Sequence, residues 1–178
     1  MVNFGIVYGL SGFGLTQAIP GMARAEAEEF IRNYFSKYPR IREYIQRTVH
    51  EGGERGYVET FLGRRRYIPE LLHANSQVRA AAERMAINMP VQGTAADVIK
   101  VAMVRLLKRL QADGYQSKMI LQVHDELLFE VPPEELEEMG RLVPDVMSTA
   151  VEMVVPLQVE VKVGASWGEL EEIGRAHV

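Results

Sequence analysis

Apolar positions in the first half of the chain recur at three- and four-residue spacing. Phe30, Ile31, Tyr34, Phe35 and Tyr38 form one series, and Ile41, Ile45 and Val49 another, which predicts two helices that each turn one face into a core. Pro39 suits the first position of the second helix, and Gly52, Gly53 and Gly56 predict its end. The stretch GYVETFLGRRRYIPEL then predicts two short extended runs around Leu62-Gly63. Residues 78–89 predict a helix, and Pro90 either kinks it or starts a new one. From 94 to 110 the pattern is apolar on most faces, with Arg105, Lys108 and Arg109 on one stripe, which predicts a buried central helix with a basic edge.

Past the Asp113-Gly114 turn signal the period changes from helical to alternating. In KMILQVHDELLFEVPP two strand-like runs, 119–123 and 127–131, meet at His124-Asp125-Glu126, which predicts a hairpin. A helix is expected from 134 to about 151. In the final run LQVEVKVG, the residues Leu157, Val159, Val161 and Val163 share one face. That strand is expected to pair with the hairpin in an antiparallel sheet backed by helices, so the fold class is α+β.

Composition narrows the reading further. At 178 residues, 47% hydrophobic and 25% charged, the chain is long enough for one real core or one lobe of a larger protein. No apolar stretch reaches the roughly 18 residues of a spanning helix, and no Lys or Arg precedes the first apolar run, so the reading is cytoplasmic with no membrane partner. With no cysteine, disulfides and thiolate metal sites are excluded. The net charge of -4 conceals a split: residues 1–90 carry 12 Lys+Arg against 9 Asp+Glu, and residues 91–178 carry 8 against 15. A basic half beside an acidic half suits a polyanion on one surface and cations on another; ordinary surface variation accounts for it equally.

The hairpin tip is where the residue choice calls for an explanation. A two-residue turn His124-Asp125 requires positive φ at one or both positions, which Gly adopts far more easily. Adjacent carboxylates at such a tip suit Mg²⁺, which takes one or two protein carboxylates and completes its shell with water and phosphate oxygens. They are one half of a two-metal phosphoryl-transfer site, or a solvated polar turn. Arg64, Arg65 and Arg66 are the densest basic cluster, suited to backbone phosphates or to plain solvation. The glycines at 5, 9, 12 and 14 are not followed by Gly-Lys-Ser/Thr, so a Walker site is rejected.

Taken together, VNFGIVYGLS, MPVQGTAAD and QVHDELLFEVP, extended by GYVETFLGRRRYIPEL and AAERMAINMPVQGTAADVIKVAM, resemble the C-terminal part of family A DNA polymerases, the bacterial DNA polymerase I type. The resemblance runs from Val2 to about Trp167, with three separated motifs in the family's order. It implies an antiparallel palm sheet with a metal-site hairpin, backed by helices, and helical partial fingers at the N-terminus: residues 1–56 as partial fingers and 57–178 as palm, one truncated polymerase domain overall.

By position, the resemblance makes Asp125 the palm aspartate that ligates the catalytic Mg²⁺ ions and Glu126 its neighbouring carboxylate, and it puts His124 near the primer terminus. Phe4 and Tyr8 match positions at the end of the fingers helix that meet the incoming deoxynucleoside triphosphate, where Phe at the first disfavours dideoxynucleotides. Asn3 in the same stretch falls among the DNA-contacting positions. Arg84, Asn88 and Gln92 match residues near the primer-template minor groove, where donors can inspect pair shape without reading sequence. Read from the residues alone, Phe4 and Tyr8 are also a core-packing pair, and Arg84, Asn88 and Gln92 a solvated polar face.

The implied function is DNA-directed DNA polymerisation on primer-template DNA in replication or repair. A non-catalytic duplex-binding module and a metal-dependent nuclease are the alternatives. The family's second metal-binding Asp belongs to an earlier motif of the type Asp-Tyr-Ser-Gln-Ile-Glu, its nucleotide-binding Lys precedes the position of Met1, and its thumb also lies upstream; no such segments occur here. The chain by itself is therefore expected to need the upstream part of the polymerase domain and to polymerise negligibly. Its palm sheet is expected to expose an edge that invites association.

Overall fold

In a computed structural model the chain is described for residues 2–172, with side chains described from 5 to 171. Two compact units divide it, Met1–Thr94 and Ala95–Val178.

The first unit opens with two short helices, α1 (Val2–Val7) and α2 (Gly12–Ala18), the latter capped by the Ser11 hydroxyl, which accepts from the Gly14 N–H at 3.2 Å. The two predicted amphipathic helices follow as α3 (Arg24–Lys37) and α4 (Pro39–Arg55). Glu26 reaches back to the Ala23 N–H at 3.0 Å at the start of α3, and Pro39 opens α4 as expected. The end of α4 differs from the expectation, since the helix continues through Gly52 and Gly53 and only Gly56, at φ 76°, closes it in the left-handed region. Gly52 has a packing role instead. A Cβ there would stand 3.0 Å from Val58 Cγ1 and 3.1 Å from a Leu71 methyl.

Strands β1 (Tyr57–Glu59) and β2 (Arg65–Tyr67) pair antiparallel, with Val58 opposite Arg66. A core of Val58, Ile68, Leu71, Ala82 and Ala86, with Val49, Met85 and Met89 packed on it, joins this ribbon to α4 and to the N-terminal part of α5 (Ser76–Asp113).

Helix α5 settles the question of Pro90. It is continuous over 38 residues with Pro90 inside, where the proline removes one backbone donor. Beside it, the Ile87 carbonyl accepts from the Tyr44 hydroxyl at 2.9 Å and the Pro90 carbonyl from the Thr94 hydroxyl. Its second half is not buried all round, as the apolar pattern predicted. Ile99, Ala102, Leu106 and Leu110 form one buried stripe, while Val104 and Leu107 are about half exposed. On the predicted basic edge, Arg105 donates to the Thr149 carbonyl at 2.8 Å and Arg109 pairs with Asp113.

In the second unit, Gly114 at φ 76° turns the chain out of α5, and β3 (Lys118–Val123) pairs antiparallel with β4 (Glu126–Glu130). A 3₁₀ turn at Pro133–Glu135 leads into α6 (Leu136–Ser148). The single sheet expected from the last alternating run does not form. Leu157, Val159, Val161 and Val163 are half-buried and Gln158, Glu160 and Lys162 exposed, so the alternation is real. Yet only β5 (Lys162–Val163) enters a ladder, with β6 (Glu171–Glu172), and neither pairs with the hairpin. Period-two burial specifies which face points inward and leaves open which edge is hydrogen-bonded. Among the described residues two separate antiparallel ribbons, β3–β4 and β5–β6, therefore stand where one sheet was expected, and the content remains mixed α and β. Among the described residues no helix is long and apolar enough to cross a membrane.

Glu135 ties the two ends of this unit's first half together. Its carboxylate accepts from the Gln116 N–H at 2.8 Å, from the Ser117 N–H at 2.9 Å and from the Ser117 hydroxyl. These bonds, the Gln116 amide foremost, hold its pKa below the ordinary carboxylate value. A lowered folded-state pKa gives stability that is present above the ordinary value of 4.5 and lost as pH falls through the lower folded value. Glu135→Gln is expected to flatten the acid side of the stability curve. Thermal unfolding of both proteins from neutral pH down to about pH 3 measures this, and parallel acid limbs would contradict it.

Candidate active site and nucleic-acid interface

The hairpin turn contains the backbone strain its length demands. His124 has φ 54°, the one positive φ of a non-glycine residue among those described, and it occupies the first central position of the two-residue loop. Side chains other than Gly, Asn and Asp reach that region at a cost of about 1 kcal/mol or more. The Gln122 side-chain amide braces the loop by donating to the His124 carbonyl at 3.0 Å. His124, Asp125 and Glu126 are all solvent-exposed, so both carboxylates are available to an outside cation. Among the described residues no group of three or more His, Cys, Asp or Glu side chains is placed to share a metal ion. What the tip offers is two exposed carboxylates, of the ligand type that Mg²⁺ takes one or two at a time.

In the first unit the structure brings several of the predicted residues together. Tyr8 lies near Tyr44, a phenol whose pKa is raised first by burial. Gly9, at φ 85°, packs on the aliphatic stem of Arg84, and a Cβ there would stand 3.1 Å from Arg84 Cγ. Because α5 is unbroken, Arg84, Asn88 and Gln92 keep their four-residue spacing and share one helical face. Arg84 and Gln92 are exposed, and the buried Asn88 Oδ1 has no hydrogen-bond partner among the described residues. A buried acceptor in that condition is costly. The side chains of Asn3 and Phe4 lie outside the described residues.

The three arginines are exposed but not equivalent. Arg65 lies over the Tyr57 ring at 4.5 Å and donates to Glu59 at 3.3 Å, contacts that raise its pKa further, the Tyr57 interaction most. Arg66 approaches the Met85 sulfur at 3.5 Å, and Arg64 begins the return from the turn. That turn is fastened to α5. The Phe61 N–H donates to the Thr94 hydroxyl at 2.9 Å, the Arg64 N–H to the Thr60 hydroxyl at 3.1 Å, and a Cβ on Gly93 would stand 2.6 Å from Thr60 Cγ2. Gly93 and Thr94 thus form the notch that seats the arginine ribbon.

Tyr44 and Thr94 are the residues that the sequence reading missed. Both act by bonds to backbone groups far along the chain, 43 and 33 residues away, and such bonds have no local pattern. The one available signal was Pro90, which marks a helix segment short of a donor.

Comparison with known proteins supplies the family. The DNA polymerase family A model matches residues 1–169. The chain is 53% identical over 171 residues to the thermostable DNA polymerase I of Thermus filiformis, covering 96% of this chain and 20% of that polymerase. It is 50% identical over 166 residues to DNA polymerase I of Bacillus caldotenax, covering 93% of this chain and 19% of that one. A solved structure, the POL domain of Pol1 from M. smegmatis in complex with DNA primer-template and dNTP, superposes with a TM-score of 0.84 at 44% identity, over 88% of this chain and 28% of that one. The chain thus spans about a fifth of the length of these curated relatives. With a match across nearly its whole length and the motifs in family order, the chain belongs to DNA polymerase family A.

Proposed function

We propose that this chain forms part of the catalytic region of a DNA-directed DNA polymerase that extends a primer 3'-hydroxyl with deoxynucleotides in replication or repair. One observation carries the reading: in a family A chain, an exposed Asp125-Glu126 pair sits on a two-residue hairpin turn that keeps a non-glycine residue, His124, at φ 54°. In this reading residues 57–178 are palm, with β3 and β4 as the metal-site hairpin, and residues 1–56 are partial fingers. Asp125 and Glu126 would hold Mg²⁺, which when bound supplies positive charge for phosphoryl transfer.

The rest of the work belongs to positioning. His124 stands beside the primer terminus. Arg64, Arg65 and Arg66 hold backbone phosphates, contacts that give affinity without sequence preference. Arg84, Asn88 and Gln92 face the minor groove, where their guanidinium and amide donors meet the acceptors that every base pair presents. Phe4 and Tyr8 present aromatic surface to the incoming nucleotide.

The test is templated primer extension in Mg²⁺ and all four deoxynucleotides, by the chain by itself and by the chain joined to the upstream portion of a family A polymerase. Extension is expected only from the joined form. Duplex binding without extension in either form would replace this reading with that of a duplex-binding module, and Mg²⁺-dependent cleavage without nucleotides with that of a nuclease.

A further inference from the structure

Within the first unit, the ribbon β1–β2 meets helix α5 at two levels. Its base is held by packing, where Val58 and Ile68 share one core with Ala82 and Ala86. Its tip meets α5 at Gly93 and Thr94, about 10 Å further along the helix at 1.5 Å per residue. The tip loop is closed around Thr60. The Thr60 N–H donates to the Arg64 carbonyl at 2.9 Å, the Gly63 N–H to the Thr60 carbonyl at 2.9 Å, and the Arg64 N–H to the Thr60 hydroxyl at 3.1 Å. Loop and following arginines are therefore one piece.

A hydroxyl on the helix fixes that piece in place. Thr94 Oγ1 accepts from the Phe61 N–H at 2.9 Å and donates to the Pro90 carbonyl one turn back. A hydroxyl has one proton and two lone pairs, so committing the proton to Pro90 leaves a lone pair for Phe61. The bond to Pro90 also selects the rotamer of the threonine. Beside it, a Cβ on Gly93 would stand 2.6 Å from Thr60 Cγ2, so the loop lies directly on the helix backbone. Phe61 is 69% exposed, and water can replace Thr94 as the partner of its N–H. The bond therefore contributes little to folding, and its effect is on where the ribbon tip stands.

We infer that Thr94 is a positioning residue for primer-template DNA, whose hydroxyl holds Arg64, Arg65 and Arg66 at a fixed offset from Arg84, Asn88 and Gln92. The inference rests on the polymerase reading above. Contacts to phosphates set the register of a protein on a duplex, and contacts to base edges then use that register. Thr94 stands two residues beyond Gln92 on the same helix, so its bond to Phe61 joins the two sets of contacts at one point. Donors that inspect pair shape through minor-groove acceptors reject a misshapen pair only if the duplex cannot shift to meet them. A ribbon tip free to swing about its packed base would permit that shift, and a mismatched primer terminus would then be penalised less.

The test measures single-turnover extension from matched and mismatched primer termini by the chain joined to the upstream portion of a family A polymerase. Thr94→Val, which keeps the shape and removes the hydroxyl, is expected to lower the matched-to-mismatched rate ratio by about tenfold. Thr94→Ser, which keeps the hydroxyl, should restore most of it, and the unfolding temperatures of all three proteins should agree within about 3 °C. In the full chain without DNA, hydrogen exchange at the Phe61 amide should quicken at least about tenfold in Thr94→Val, with the β1–β2 ladder unchanged. An unchanged ratio or unchanged Phe61 exchange in Thr94→Val, no recovery in Thr94→Ser, or a fall in unfolding temperature that accounts for the loss would each overturn the inference and leave the polymerase reading standing. A parent protein that extends no primer at all would overturn that reading, and this inference with it.

Discussion

Asp125→Ala is expected to lower Mg²⁺-dependent primer extension by about 10²–10³-fold or more in a polymerase that carries this chain as its C-terminal portion. The size follows from the geometry of the tip. Two carboxylates stand there and no third acidic group shares the position among the described residues, so Asp125→Ala removes one of the two metal-binding groups that this chain is proposed to supply. The side chain is exposed and has no side-chain bond among the described residues, so the substitution leaves nothing buried and unpaired, and the unfolding temperature should move little. Removing a negative charge beside bound DNA cannot weaken its attraction for phosphate, so primer-template affinity should hold or rise. The combination of a large loss in single-turnover rate, unchanged stability and undiminished DNA affinity is what separates a metal ligand from a structural residue. Extension that stays within about tenfold of the parent would sink the assignment of Asp125.

The second large effect concerns the fold. Ile68→Ala should destabilise the first unit by roughly 2–5 kcal/mol. Ile68 is 2% exposed and lies in the core formed by Val58, Leu71, Ala82 and Ala86. Its own N–H is fixed to the Gly56 carbonyl at 3.0 Å, so the backbone cannot follow the shortened side chain into the gap. Deleting three carbons there loses their transfer free energy and leaves a cavity between the β1–β2 ribbon and α5. The same ribbon bears Arg64, Arg65 and Arg66, so DNA affinity should fall along with stability. Urea unfolding with a probe in the first unit measures the loss. A change below about 1 kcal/mol would mean that the site collapses around alanine and that Ile68 is not a keystone of this core.

Much of the helical framework could be read from the chain because burial imprints a period on it. The series ending at Tyr38 and at Val49 became α3 and α4, and Pro39 and Gly56 set the bounds of the latter. The hairpin was legible for a related reason, since two residues between alternating runs leave few turn geometries and the positive φ at His124 follows from the count. Partnership between distant segments was not legible. The alternation at 157–163 reports its buried face faithfully and carries no information on its edge, so the sheet expected there resolved into separate ribbons. Gly52 read as a stop signal because glycine has two uses, ending a helix and admitting a close neighbour, and only the position of Val58 distinguishes them. At the candidate site, the carboxylate tip and the arginine run stood out by residue type. Tyr44 and Thr94, which shape the ground around Arg84 and the arginine ribbon, were hidden because each works through a backbone group with no sequence signature.

The left-handed His124 has a consequence for how this chain can drift. Glycine would relax that backbone at once, so a lineage or a library selected for thermal endurance alone has a short and downhill path away from histidine. Only a demand placed on the imidazole itself holds the position against that slope. The residue therefore marks a point where fitness and foldedness are set against each other, and its identity in any descendant would reveal which of the two had been selected.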